Sequence, residues 1–315
     1  ETVGVEDEDA FEIPELGIKI ASRDGLVPGA LRHVVQKRIK IRRYLKHMDK
    51  DEERHARYKA YSNALKWLCV VAYGRLGFAN STFGRINSHE VVSFIGRKVL
   101  LKAKEIAEDH GFTVIHAYVD SLFVCKTGVA KEEDFQPLLN EIEEETKLDI
   151  EIEKVYSWMA FGCSRQNPNL SVANRFFGIG SDGEYKMRGL ALRRDDTPPF
   201  VADTQYQILQ ILAKEQDPNH LTNRLPDVLE LMQKKISALQ DRTFPPEELL
   251  VTQILSRELR EYSVLSPVAR AANQLEAMGK NVRMGQRIQF IYTRTKEGVR
   301  AWDLPEPYNI TWIDT

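Results

Sequence analysis

The feature that most restricts the fold is a pair of long helical runs separated by five charged residues. From Gly29 to about Met48, apolar residues recur at Leu31, Val34, Val35, Ile39, Ile41 and Leu45, with Arg38, Lys40, Arg42, Arg43 and Lys46 between them. That period predicts a long basic amphipathic helix, and Gly25-Leu-Val-Pro28 supplies a turn with a proline suited to the first helical turn. After Asp49-Lys-Asp-Glu-Glu53 a second run continues from about Arg54 to Tyr73. Two long helices joined so tightly must double back, which predicts an antiparallel hairpin and lets Arg38, Arg42 and Lys66 point the same way.

Charge is uneven along the chain. The net charge of −2 argues for no particular partner, yet Arg32 to Lys66 holds twelve Lys or Arg against four Asp or Glu. Such a segment suits contact with polyanions, or equally a solvated, salt-bridged helix face. The acidic stretch from Glu132 to Glu153 reads as a solvated helix followed by an exposed strand. No apolar run approaches the roughly 18 residues of a membrane span, and no signal segment opens the chain, so an intracellular, cytoplasmic protein without a membrane partner is expected. Cys69, Cys125 and Cys163 are far apart in apolar surroundings and are expected as reduced core thiols. Glu1 to about Glu15 is acidic and poorly patterned, without an initiating Met, which is expected of a fragment or processed product.

Beyond the helical pair, Gly74, Gly77 and Gly84 with Asn80 and Ser81 are expected to end the second helix in a flexible loop. A third helix is expected from about Ser88 to His110, stopped by Gly111. Phe112 to Cys125 then carries two apolar runs around Asp120, which reads as a hairpin of a covered sheet with Asp120 at its turn. Asp120 and Ser121 suit either a simple polar turn or a rigidly held carboxylate for a divalent cation such as magnesium. An acidic helix at about 131–147 and strands near Leu148–Glu153 and Val155–Phe161 follow. Arg175–Ile179 and Glu184–Leu192 read as strands around a Ser181-Asp-Gly183 turn. Past Asp195-Asp-Thr-Pro-Pro199 the pattern becomes helical, at Ala202–Lys214 and Leu225–Leu239, and near the end Arg287–Tyr292 reads as a strand after a Gly279–Gly285 turn.

The order of several short motifs is more specific than any of them alone. Asn63-Ala-Leu-Lys66, Val70-Val-Ala-Tyr73-Gly74, Phe83-Gly-Arg85, Ile95-Gly-Arg97, Asp120-Ser-Leu-Phe-Val124, Arg175-Phe176 with Gly178, Lys186-Met-Arg-Gly189 and Arg193-Arg-Asp195 follow one another in an order that resembles family B DNA polymerases, over nearly the whole chain after Gly25. The resemblance implies an α+β chain of right-hand polymerase architecture, with helical-hairpin fingers, an antiparallel-sheet palm and a mostly helical thumb. It places residues 1–25 as a remnant of palm or linker, 26–79 as fingers, 80–195 as palm and 196–315 as thumb. It further implies that Arg38, Arg42 and Lys66 bind the triphosphate of an incoming deoxynucleoside triphosphate, that Tyr73 and Gly74 lie beneath the nascent base pair, and that Arg175, Lys186, Arg188, Arg193 and Arg194 hold primer-template DNA. Asp120 becomes the catalytic and metal-ligating carboxylate for Mg²⁺ or Mn²⁺, in an enzyme of DNA replication or repair.

The departures restrict what is implied. The family usually carries Tyr-Gly-Asp-Thr-Asp-Ser in this hairpin, and the matching residues here are His116-Ala-Tyr-Val-Asp-Ser121. Tyr118 stands where the first Asp would, and a phenol is not an anionic oxygen ligand at neutral pH. Val70-Val71 replaces a usual Asn-Ser, and Ala173-Asn174 a usual Lys-Lys. The upstream motif with its Asp is not found among these residues, since Asp7, Asp9 and Asp24 lack a Ser-Leu-Tyr-Pro-Ser context, and the residues before Gly25 are not expected to form an exonuclease domain. One carboxylate cannot bridge two cations about 4 Å apart. The chain alone is therefore expected to be inactive, with an upstream polymerase half on the same or a separate chain as the partner that completes it, or else to be an inactivated homologue that binds primer-template.

Overall fold

A computed structural model describes residues 2–305 and 313 except 7, 24, 50, 51 and 216. Asp7, Asp24 and the middle of the charged link thus lie outside the described residues, as does the side chain of Ala173. Within the described residues, small antiparallel sheets alternate with helices, and the chain divides into two compact units, residues 1–129 with 135–150, and residues 130–134 with 151–315.

In the first unit a short β1–β2 hairpin (Phe11–Ile13, Ile18–Ile20) precedes α1 (Leu26–Lys46), α2 (Glu53–Leu76) and α3 (Ile86–Asp109). Helices α1 and α2 pack on each other, and the short link between them makes the pair antiparallel. Apart from Gly29 and Ile39, the α1 residues shielded from solvent are Val27, Leu31, Val34, Arg38, Ile41 and Leu45, and those of α2 are His55, Tyr58, Ser62, Leu65, Cys69, Ala72 and Leu76. Both sets advance in alternating steps of three and four, the spacing of a coiled-coil seam. Arg43 and Lys46 close α1, where cations favour the negative end of the helix dipole.

The glycine cluster ends α2 as expected, with Gly77 as its C-cap after Leu76 and Gly74 still inside the helix. One loop expectation is corrected, because the segment that follows is not loose: Ser81 N–H donates to Phe78 O, Gly84 N–H to Ser81 O and Arg85 N–H to Leu76 O. A side chain at Gly84 would collide with the Phe78 carbonyl, so this glycine serves a close approach and not flexibility.

After α3, Gly111 at φ 76° turns the chain into a two-stranded sheet of β3 (Thr113–Tyr118) and β4 (Ser121–Cys125). Val114, Leu122 and Val124 pack on a core of Ala103, Ile106, Ala107 and Phe112 from α3 and its end, and Leu138 and Ile142 from α4 (Gln136–Thr146). On the opposite face His116, Tyr118 and Phe123 are half-buried. Ile115, Val119 and Cys125 are exposed, which corrects the expectation of two buried runs.

The second unit holds β5 (Tyr156–Cys163), β6 (Ser171–Gly180) and β7 (Tyr185–Arg188) in an antiparallel sheet of order β5-β6-β7. Leu148–Glu153 forms no strand, because the alternation there finds no partner edge, and β7 stops at Arg188, with Ala191–Arg193 forming a 3-10 turn. Helices α5 (Pro199–Leu212) and α6 (Leu225–Asp241) follow, then β8 (Val251–Ile254), α7 (Pro267–Ala277), β9 (Arg287–Tyr292) and β10 (Val299–Ala301). The last three strands form a sheet of order β10-β9-β8, of which sequence patterning had shown only β9. Ile288 and Phe290 join the buried face of α7, while Ile291, of opposite parity, packs with Phe200 and Phe244. The cysteines are free, but Cys125 and Cys163 are exposed and Cys69 half-buried, so the expectation of core thiols is corrected.

Candidate functional site

The β3–β4 turn presents Asp120. Tyr118 pairs with Ser121, so Val119 and Asp120 alone make the turn, and Val119 adopts φ 55°. A β-branched residue at positive φ is strained, and nothing in the amino-acid pattern announced it. A register shift between Val114 and His116 leaves Ile115 as a bulge. The extra residue re-aims the strand, so that Val114 faces the core while His116 stacks on Tyr118 at a ring separation of 6.2 Å and meets Phe123 at a tilt, 5.6 Å away. Tyr118 thus belongs to an aromatic row beside the exposed Asp120, whose carboxylate lies 3.5 Å from the Ser121 hydroxyl.

A divalent-cation site needs several oxygen ligands around one point. Among the described residues, no group of three or more His, Cys, Asp or Glu side chains is placed to hold a metal ion. The described residues therefore do not fit a two-cation centre, and Asp120 offers a single carboxylate.

On the helical pair, Arg38 and Arg42 do not share one environment. Arg38 occupies a seam position and is half-buried, whereas Arg42, one turn on, is exposed. Counting equal steps outward from the link puts Arg38 level with Ser62, the one buried polar residue of α2 among the described residues. The Arg38 Nε is enclosed without a hydrogen-bond partner. Lys66 is exposed on α2. Tyr73 is anchored: its ring stacks on His89 of α3 at 4.2 Å, and its hydroxyl lies 3.0 Å from His89 Nε2 and 2.7 Å from Ser93 Oγ. At Gly74 a Cβ would meet no atom within 4 Å, so the protein's own packing does not require a glycine. Trp67, Val70 and Val71 are exposed on the same helix, leaving an apolar surface beside that open space.

In the second unit the basic residues are dispersed over two faces of one sheet and the turn beyond it. Phe176 pairs with Arg188 and Gly178 with Lys186, so Lys186 and Arg188 share a face and Arg175 lies on the other. The aliphatic stem of Arg175 crosses Gly162, where a Cβ would meet its Cδ at 2.8 Å. Lys186 forms an ion pair with Glu153. Arg193 and Arg194 are both exposed at the 3-10 turn, and Arg194 makes a two-point contact with Asp196, Nε to Oδ1 at 2.8 Å and Nη2 to Oδ2 at 2.7 Å. Hydrogen bonding from Arg194 holds the Asp196 carboxyl below the usual carboxylate range. At the β6–β7 turn, Lys154 bonds both Asp182 and Glu184; burial works against the ammonium, but the two carboxylates outweigh it and its pKa is raised. Sequence reasoning missed Ser62, Gly162, Val119 and Asp196. The steps of three and four along α2 would have placed Ser62 on the seam, whereas no local signal announced the contact of Asp196 with Arg194.

A model of DNA polymerase family B matches residues 7–310. The DNA polymerase of Archaeoglobus fulgidus is 26% identical over 296 residues, covering 93% of this chain and 36% of that protein. DNA polymerase 2 of Saccharolobus solfataricus is 28% identical over 239 residues, covering 75% of this chain and 33% of that protein. The solved family B DNA polymerase from Pyrobaculum calidifontis superposes with a TM-score of 0.62 at 22% identity, over 98% of this chain and 38% of that one, a likeness of fold. The chain thus spans about a third of the length of these relatives. Among the described residues no helix is long and apolar enough to cross a membrane.

Proposed function

The chain belongs to the family B DNA polymerases, and from that premise we propose that it is the part of such a polymerase that grips primer-template DNA and the incoming deoxynucleoside triphosphate. In this reading residues 26–79 act as fingers, 80–195 as palm and 196–315 as thumb. Arg42 and Lys66, exposed on the helical pair, meet the triphosphate, with Arg38 reaching out of the seam beside them. The open space at Gly74, next to the anchored Tyr73, receives the nascent base pair. Arg175, Lys186, Arg188, Arg193 and Arg194 neutralise backbone phosphates.

The observation that carries the reading is the pairing of an exposed basic α1–α2 hairpin with a lone exposed carboxylate at a strained turn. That lone carboxylate also limits it. Asp120 with Tyr118 beside it does not complete a site for Mg²⁺ or Mn²⁺, so template-directed synthesis is proposed only for a longer protein in which an upstream segment, on the same or a separate chain, adds a second Asp. The isolated chain binds without extending a primer.

Fluorescence anisotropy with a labelled primer-template, titrated across salt concentrations, tests the binding. Affinity should fall steeply with salt and weaken on replacing Arg193 and Arg194 with Gln; affinity indifferent to salt would remove the proposal. For the longer protein, primer extension should be lost on Asp120→Ala. Extension at the unmodified rate would strip Asp120 of its role.

A further inference from the structure

Arg194 and Asp196 are the first and third residues of a turn closed by Thr197 N–H donating to Arg194 O at 3.3 Å, which folds the Asp196 side chain back toward Arg194. Asp196 engages the guanidinium side-on, through Nε and Nη2. An Arg carries five N–H donors in a rigid plane. Side-on pairing uses two of them and leaves both Nη1 hydrogens and one on Nη2, the end-on fork that matches two phosphate oxygens. The Arg194 side chain is 68% exposed and that of Asp196 only 29%.

The carboxylate is the fixed member of the pair. Thr197 Oγ1 donates to Ala191 O at 2.6 Å and Arg194 N–H to Ala191 O at 2.9 Å, closing the loop that carries both residues. Leu192 N–H donates to Gln205 Oε1 at 2.8 Å, tying that loop to α5. Asp196 itself lines a cleft with Pro198, Gln253 and Tyr292.

We propose that Asp196 is a positioning residue for DNA binding, holding the Arg194 guanidinium side-on so that its terminal fork faces a backbone phosphate. The proposal rests on the assignment of Arg194 to DNA contact. Lys186 offers a contrast, because an ammonium paired with Glu153 has no second fork to present. A carboxylate near DNA ought to repel phosphate, so bare charge and positioning predict opposite effects. If charge governs, removing Asp196 tightens binding. If orientation governs, removal weakens it, because the long side chain must then be ordered at the moment of contact.

The test uses the 315-residue chain and a labelled primer-template, with affinity measured across salt. Asp196→Asn should bind about fivefold more weakly near 0.1 M salt, and its log–log salt slope should shrink by about 0.9, the share of one phosphate contact. Asp196→Glu, which keeps both acceptor oxygens, should recover most of the loss. In an Arg194→Gln background, Asp196→Asn should cause no further weakening. Tighter or unchanged binding by Asp196→Asn, or an equal loss in the Arg194→Gln background, would overturn the positioning role while leaving the DNA contact standing. Arg194→Gln binding like the unmodified chain would overturn both together. Unchanged thermal unfolding of Asp196→Asn separates a loss of positioning from a loss of folding.

Discussion

The ring of Tyr73 lies 4.2 Å from that of His89 and tilts from it by only 22°, while the Tyr73 hydroxyl sits 2.7 Å from Ser93 Oγ. A residue that the resemblance offered as the floor of a base pair is thus locked to α3 by both its face and its polar tip. Tyr73→Phe should keep the stacking and lose the hydroxyl contacts, lowering unfolding stability by about 1 kcal/mol. Urea denaturation of the two proteins checks this, and equal midpoints would mean that the hydroxyl is not held as described.

Gly74 gives a prediction in which stability and binding move apart. It lies inside α2, and a Cβ there meets nothing within 4 Å. Gly74→Ala should therefore stabilise the fold by about 0.5–1 kcal/mol, the usual helix-interior difference. If the vacant volume receives a base pair, the same methyl should weaken ternary binding of primer-template and nucleotide. Thermal unfolding and nucleotide-dependent anisotropy together separate the two effects, and a variant both more stable and equally tight would remove Gly74 from the binding surface.

Val119, at φ 55° and 70% exposed, has no packing to compensate its strained backbone. Val119→Gly should release roughly 1 kcal/mol of left-handed strain net of the added chain entropy. An increase in the denaturation midpoint is the expected result. A decrease would show that the Val119 side chain contributes contacts that outweigh the strain.

Asp182 carries the acid response of the β6–β7 turn. Its carboxyl is lowered from 3.8, chiefly by the Lys154 hydrogen bond and then by the Glu184 backbone N–H. The folded pKa is below the unfolded one, so the contribution is complete above about pH 3.8 and is lost as pH falls through the folded value. Carboxyl resonances followed by NMR should place its titration below 3.8, and Lys154→Met should bring it back toward that figure. A midpoint unmoved by the substitution would dissociate Asp182 from Lys154.

What was legible in the sequence followed from local rules. Periodicity revealed α1, α2 and α3 to within a few residues, Gly111 marked the end of α3, and Asp182-Gly183 marked the β6–β7 turn, because each depends on the backbone preferences of residues close in the chain. Leu148–Glu153 was misread because its alternation is only half of a strand; the other half is a neighbouring edge, which this segment lacks among the described residues. The exposure of Cys125 and Cys163 was misread for a related reason, since apolar neighbours in sequence do not establish which face of a sheet is covered.

By itself the sequence determined family membership, through motifs in a fixed order, and the doubling back of two long helices, through the shortness of the link between them. It also determined that Asp120 would stand without a neighbouring carboxylate in its hairpin, because residue 118 is Tyr. Tertiary structure decided the rest. Only packing put Arg38 into the α1–α2 seam at the level of Ser62, only the Ile115 bulge turned His116 and Tyr118 away from the core, and only the folded loop before α5 brought Asp196 against Arg194. Residue types restrict what each position can do chemically, whereas which atoms meet depends on register, face and loop closure, and these are resolved only when distant segments compete for the same buried space.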